Sequence, residues 1–229
     1  MDVEVALINP LYQGNVGAVA RAMKNFGFSR LVLVNACVLG DEARAMASHA
    51  QDVLDAACHI TLEQILETSN LVVGTTGIAN GNSSLRAPYP LAELAATLSA
   101  TDGIASILFG PEDQGLPNRV LEQCDMIVNI RTNPDYPVMN LSHAVAVILY
   151  AISAPTTSLG RKRAAATHIE LSQLLEHTSE MLDKIEFPPH KRKRVLLNLK
   201  HVYGRSALSS REVQMLRGIL HRIELRLKR

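Results

Sequence analysis

Residues 108–117 read LFGPEDQGLP and follow directly on an apolar run, 104–109, that is typical of a buried strand. The segment holds two glycines, two prolines and two acidic residues within ten positions. A plain turn between a strand and a helix does not need that density, and loops of this kind often carry ligand contacts. The alternative is a tight turn whose glycines serve only the backbone geometry.

A second segment, residues 9–21, reads NPLYQGNVGAVAR and opens a helix that is predicted over 15–26. Asn15 is expected to cap this helix, and Gly27 to follow its end. Arg21 lies almost two turns into it. The segment contains neither G-x-G-x-x-G nor a Walker loop, so it is not a general nucleotide-binding motif. Taken alone, Arg21 is more simply a surface arginine.

A third segment, residues 130–144, reads IRTNPDYPVMNLSHA and leads a proline-rich loop into a strongly apolar helix predicted over 140–152. Asn140 is a good N-cap, which would hold its side chain next to the loop. His143 is a candidate general base, but a single histidine in an apolar helix is more often a packed interface residue.

Strands and helices alternate along the first two thirds of the chain, and the strands are continuously apolar. This pattern predicts an α/β fold with a parallel sheet covered by helices on both faces. Ligands in such sheets bind beyond the carboxyl ends of the strands, where all the informative loops fall. The predicted strands are 3–8, 31–34, 71–74, 104–109 and 126–130, the predicted helices are 15–26, 41–57, 91–98, 117–123 and 140–152, and the loops are 9–17, 74–80, 109–116 and 130–140.

Composition limits the class of protein. The chain has 229 residues, of which 47% are hydrophobic and 20% charged, which is enough apolar content for a globular core. The sequence has no apolar run of membrane-spanning length, and its acidic N-terminus is unlike a secretory signal, so we expect a cytoplasmic protein without a membrane partner. The three cysteines, Cys37, Cys58 and Cys124, lack metal-ligand spacing, so we expect buried free thiols and no metal.

Charge divides the chain. Residues 1–159 hold seven basic and fifteen acidic residues, whereas residues 187–229 hold twelve basic and two acidic ones. We predict a domain over 1–152, a linker over 153–167 and a basic helical extension over 168–229, whose last helix opens with the capping box Ser209–Glu212. A basic tail on an acidic domain suggests a polyanionic partner, although a solvated helix face would explain the charges equally well.

Together, the segments GNVGAVARAMKNFGF, LFGPEDQGL and the Asn-Leu-Ser that opens the last apolar helix resemble the three signature motifs of the SpoU/TrmH branch of the SPOUT RNA 2'-O-methyltransferases. The resemblance covers residues 2–152, and the tail resembles the extension of the TrmJ type, which methylates a ribose in the tRNA anticodon loop. It implies a C-terminal trefoil knot in the catalytic domain, S-adenosyl-L-methionine as methyl donor, tRNA as substrate, with cytidine or uridine as the target, and a homodimer.

The resemblance also implies roles for individual residues. Catalytic roles fall to Arg21, Asn140 and Glu112. RNA contacts are expected from Asn15, Arg21, Lys191, Arg192, Lys193 and Arg194. The donor pocket is expected to be lined by Thr75, Thr76, Gly77, Gly110, Gly115, Leu116, Ile130, Pro137, Val138 and Met139. Many relatives carry Ser-Leu-Asn before the last helix, where this chain has Val138-Met139-Asn140, so any role of that serine is absent or has passed to another group.

Three alternatives stay open at this point. A dinucleotide-dependent enzyme would need G-x-G-x-x-G and an acidic residue after the second strand, where Asn35 stands instead. A ribosomal RNA substrate would use the same chemistry as tRNA. A non-catalytic RNA-binding protein could keep the same fold.

Overall fold

The computed structural model describes residues 1–77, 88–153 and 163–227, and the side chains of all of these except Thr101 and Arg163. Residues 78–80 of the predicted loop 74–80, and 154–162 of the predicted linker, lie outside the described residues.

Six parallel strands form one sheet in the order β3-β2-β1-β6-β4-β7. In the two central strands, every residue of 5–8 and 105–109 is buried, because helices cover both faces. The predicted parallel α/β sheet is confirmed. The strand bounds are β1 Asp2–Ile8, β2 Arg30–Val34, β3 Cys58–His59, β4 Leu71–Thr75, β6 Ile104–Phe109 and β7 Met126–Val128, and a separate pair joins β5 Thr101–Asp102 to β8 Arg163–Ala164.

Helices lie on both faces of the sheet. Helices α1, α5 and α7 share the larger hydrophobic cluster with one face, and α4 and α6 share a second cluster with the other. The helix bounds are α1 Gln13–Asn25, α2 Asp41–Ala47, α3 Gln51–Asp55, α4 Leu62–Thr68, α5 Leu91–Ala100, α6 Asn118–Leu121, α7 Leu141–Ser153, α8 His168–Lys184, α9 Pro189–Ser206 and α10 Ser210–Leu227.

Two helix predictions were wrong in detail. The single helix expected over 41–57 is broken at Ser48, whose φ of +52° no α-helix accommodates, and a 3-10 turn joins its halves. Helix α1 begins at Gln13 with Tyr12 at the N-cap, so Asn15 lies inside the first turn and does not cap it. Gly27, with a φ of +79°, ends the helix as predicted.

The C-terminal extension consists of α8, α9 and α10. The predicted capping box is confirmed, because the Ser209 hydroxyl accepts the Glu212 amide at 3.3 Å and a Glu212 carboxylate oxygen accepts the Ser209 amide at 2.8 Å. Along α10, Val213 near the start is buried, whereas Ile223 near the end is 44% exposed. No helix within the described ranges is both long and apolar enough to cross a membrane.

The extension packs on β7, the edge strand of the sheet. The His168 ring at the start of α8 lies 3.0 Å from the Asp125 carboxylate, which also accepts a hydrogen bond from the Val72 amide of β4. In α9, a Cβ at Gly204 would lie 2.4 Å from the Asp125 carbonyl oxygen, so only glycine permits this approach. The extension therefore covers this edge of the sheet next to Tyr89, whose amide donates to the Ile127 carbonyl of β7 at 2.7 Å.

Candidate active site

A pocket of about 110 Å³ opens at the carboxyl ends of β4, β6 and β7, where the fold class predicts ligand binding. Nine of the ten residues expected to line a donor pocket meet there: Thr75, Thr76, Gly77, Gly110, Gly115, Ile130, Pro137, Val138 and Met139. The tenth, Leu116, does not, because its side chain is buried in the hydrophobic cluster beneath α4 and α6.

The sequence interpretation missed the apolar wall of the pocket. Helix α7 presents Leu141, Ala144 and Ile148 to it, and the strand ends supply Phe109 and Val128. The spacing of the three helical residues is the signal that could have found them, but the same spacing is expected of any helix face that packs on a core.

The loop after β6 turns back on itself. The Gly115 amide donates to the Pro111 carbonyl at 2.8 Å, and Gly115 has a φ of +65°. A Cβ placed on Gly110 would lie 2.1 Å from the Gly115 carbonyl carbon. The glycine at 110 is therefore required by the loop's own backbone, which also forms the pocket wall at this point.

One chain of hydrogen bonds joins the three segments singled out from the sequence. The Asn15 side-chain NH2 group donates to the Glu112 carboxylate at 2.8 Å. The Asn140 side-chain NH2 group donates to the side-chain oxygen of Asn15 at 3.1 Å. The Asn140 oxygen in turn accepts the Ser142 amide at 2.9 Å, which caps α7 as predicted. The second Glu112 oxygen accepts the Leu11 amide at 2.9 Å.

This chain of bonds fixes the orientation of both side-chain amides. Glu112 can only accept, so Asn15 must turn its NH2 group toward Glu112 and its oxygen toward Asn140. Each NH2 group keeps a second hydrogen for which the described residues provide no acceptor. Two oriented donors thus lie at the mouth of the pocket.

Further hydrogen bonds hold the strand ends that form the pocket. The Thr75 hydroxyl donates to the Leu108 carbonyl at 2.9 Å, and the Asn129 amide donates to the Thr76 carbonyl at 2.8 Å. Asn129 supports the pocket without lining it, and nothing in its sequence context distinguishes it from a loop asparagine.

Arg21 is exposed and makes no hydrogen bond or ion pair to any described residue. It follows Asn15 by six positions in α1, which is roughly 9 Å along the helix axis. Glu112 orders the loop through Leu11 and Asn15 and forms no hydrogen bond or ion pair with Arg21. His143 is also exposed, on the face of α7 away from the sheet.

The basic cluster at the start of α9 divides into two pairs. Arg192 donates to the Asp183 carboxylate at 2.7 Å, and Lys193 donates to Glu122 of the first domain at 2.8 Å. Lys191 and Arg194 are exposed and form no ion pair with a described residue. The second pair is therefore free to meet a polyanion, whereas the first already neutralises acidic groups of the protein.

The cysteines are free, but only Cys124 is buried as expected, whereas Cys58 is exposed and Cys37 half-buried. Burial raises the pKa of the Cys124 thiol to about 12. Among the described residues, no cluster of His, Cys, Asp and Glu side chains has the arrangement that a metal ion needs.

Known proteins match this chain along almost its whole length. Residues 2–150 match the SpoU rRNA Methylase family, and residues 169–229 match the domain described as tRNA methyltransferase TrmJ, C-terminal domain. The tRNA (cytidine-2'-O-)-methyltransferase TrmJ of Methanocaldococcus jannaschii is 37% identical over 219 residues, which cover 92% of this chain and 94% of the relative. The tRNA (cytidine/uridine/adenosine-2'-O-)-methyltransferase TrmJ of Pseudomonas aeruginosa is 34% identical, over 95% and 92%. The crystal structure of TrmJ from Z. mobilis ZM4 has a TM-score of 0.72 and 29% identity, covering 96% of this chain and 98% of that one.

Proposed function

The chain belongs to the SpoU rRNA methylase family, and we propose that it transfers a methyl group to the ribose 2'-hydroxyl of a nucleotide, cytidine or uridine, in the tRNA anticodon loop. The observation that carries the proposal is the chain of hydrogen bonds from Glu112 through Asn15 to Asn140, which assembles three distant segments at one pocket. Membership of this family argues against a dinucleotide-dependent enzyme.

The pocket suits the family's methyl donor, S-adenosylmethionine. Its walls combine apolar side chains with exposed backbone at Gly77 and Gly110, which suits a ligand with a flat aromatic base and several polar groups. The donor supplies an electrophilic methyl group on its sulfonium.

The residues around the pocket position the acceptor. We assign the free amide hydrogens of Asn15 and Asn140 to the ribose oxygens, because Glu112, which lines the pocket, holds Asn15 and through it Asn140. Glu112 acts as a positioning residue, since both of its oxygens already accept protein hydrogen bonds. Orientation of this kind contributes several kcal/mol to lowering a barrier.

Arg21 is assigned to an RNA phosphate, because its planar guanidinium matches phosphate oxygens and the described residues leave it without a partner. The extension adds further phosphate contacts through Lys191 and Arg194. Three exposed arginines of α10 add to the positive charge of the extension: Arg211, Arg222 and Arg226.

Three features of the family are included in the proposal. The catalytic domain, 1–152, ends in a trefoil knot through which α7 returns to pack on α1. The molecule is a homodimer, because α7 is apolar around most of its circumference and yet leaves Tyr150 68% exposed. The segment 153–167 links this domain to the extension, 168–229, which binds tRNA. The protein acts in the cytoplasm.

The proposal is tested by incubating the protein with labelled S-adenosylmethionine and tRNA transcripts, and by mapping 2'-O-methyl groups with mass spectrometry. A transcript with a 2'-deoxy nucleotide at the mapped position should accept no methyl group. Methylation of ribosomal RNA in place of tRNA would overturn the proposed substrate. If neither RNA is methylated, the proposed enzymatic activity is overturned.

Arg21→Ala should reduce methyl transfer by at least about tenfold and leave the affinity for S-adenosylhomocysteine unchanged, since Arg21 lies outside the donor pocket. Arg44→Ala serves as the control, because Arg44 is exposed and pairs only with Asp55 at the surface. Near-normal turnover of the Arg21 variant at saturating tRNA would remove this residue from the mechanism.

A further inference from the structure

Two exposed tyrosines lie next to residues that line or support the pocket, in a chain that has few aromatic residues. Aromatic side chains make up 4% of the sequence, and there is no tryptophan. Tyr136 is 81% exposed and directly precedes Pro137, which lines the pocket. Tyr12 is 62% exposed and follows Leu11, whose amide donates to Glu112, another residue of the pocket lining.

The loop that carries Tyr136 is held in place. The Tyr136 amide donates to the Asn133 carbonyl at 3.0 Å, and the Asp135 amide donates to the Asn133 side chain at 3.1 Å. The Thr132 hydroxyl donates to the Pro137 carbonyl at 3.0 Å. The ring is thus presented to solvent on an ordered turn, which reduces the entropy lost when a ligand covers it.

We propose that Tyr136 is a stacking platform for the unpaired base of the target nucleotide and that Tyr12 contacts a neighbouring base. This inference rests on the proposed function, because it places the base at the loop that also carries Asn140, one of the two assigned ribose donors, and that lines the pocket through Pro137. Unpaired bases in RNA loops are commonly bound by stacking on aromatic rings.

The platform has a consequence for specificity. A ring contacts the face of a base and no hydrogen-bonding edge, so it selects an unpaired nucleotide without selecting one base. Tyr136 therefore restricts the substrate class to single-stranded nucleotides, and any preference among the bases must come from other contacts.

Tyr136→Ala should weaken binding of an anticodon stem-loop RNA by about 5- to 150-fold, which is the effect of removing one base–aromatic stack. Tyr136→Phe keeps the ring and should restore binding, whereas Tyr136→Leu keeps apolar area without an aromatic face and should not. The affinity for S-adenosylhomocysteine should be unchanged in all three, which also shows that the variants are folded.

The absence of tryptophan from the sequence allows a direct measurement. Tyr136→Trp introduces the only tryptophan of the sequence. Its emission should be quenched when the stem-loop binds, and it should not change with a stem-loop that has an abasic target position. Equal RNA affinity of the wild type and Tyr136→Ala, or equal quenching by the two stem-loops, would overturn the platform. Methylation by the wild type is measured separately, so these outcomes leave the proposed function standing.

Discussion

Replacing Asp125 by alanine should destabilise the whole chain, because this carboxylate joins the sheet to the extension. Its side chain is 2% exposed and accepts hydrogen bonds from the Val72 amide at 2.9 Å and from the His168 ring at 3.0 Å. Alanine keeps the Cβ that packs against Gly204, so the change removes the polar contacts with little loss of packing.

The expected loss of stability follows from the polar groups that remain buried without a partner. The Val72 amide would lose its acceptor, which costs about 1–3 kcal/mol for a buried group. The His168 ring would lose its acceptor as well, at a similar cost of about 1–3 kcal/mol. Together, the two losses give about 2–6 kcal/mol, or a fall in Tm of roughly 4–24 °C for a chain of this length.

Thermal and urea unfolding, followed by circular dichroism, measure this change. Asp125→Asn keeps an oxygen for the Val72 amide and should lose less stability than the alanine variant. Asp55→Ala is the control, since Asp55 forms a surface pair with Arg44 and should cost less than about 1 kcal/mol. An Asp125→Ala variant within about 1 kcal/mol of the wild type would refute the assignment of this carboxylate as the joint between sheet and extension.

Three further predictions concern other parts of the structure. Gly110→Ala should lower S-adenosylhomocysteine affinity by at least about tenfold in calorimetry, because its Cβ would collide with the loop backbone; unchanged affinity would contradict the placement of this loop. Burial lowers the pKa of His201 below its usual 6.5, so the unfolded chain takes up a proton first as the pH falls. The stability of the wild type, measured by thermal unfolding, should therefore decrease from about pH 7 to about pH 5. A smaller decrease in the His201→Phe variant would confirm that His201 causes this pH dependence. Exposed Cys58 should be alkylated in the native protein, whereas Cys124, with a pKa of about 12, should react only after unfolding, as peptide mass spectrometry can show.

The sequence predicted the parallel sheet because its strands are long, apolar and separated by helical patterns. It missed β3, which contributes only Cys58 and His59 to the edge and has no apolar signal. It also missed the break at Ser48, since nothing in an alanine-rich stretch marks a positive φ. The local sequence pattern therefore identified the strands with long apolar runs and the helices with a clear helical pattern. It failed at elements whose conformation is determined by tertiary contacts.

The pocket was predicted residue by residue through the resemblance, but the way in which its polar groups are connected was not. Asn15 and Asn140 are 125 positions apart, and no local signal pairs their side chains. The same holds for Lys193, which is expected from the sequence to contact RNA and which in the structure forms an ion pair with Glu122. Charge runs indicate where an anion can bind, and only the fold shows which charges remain available.

The packing of the extension on β7 also has a consequence during protein synthesis. The strand ends at Val128, but the helix that covers it, α9, ends only at Ser206. At about 5–20 residues per second, the ribosome needs roughly 4–16 s to deliver the covering segment. Throughout that interval Asp125 and the edge strand lack the cover of α9, and the backbone pairing at this edge is the one that the first domain itself supplies, from the Tyr89 amide to the Ile127 carbonyl.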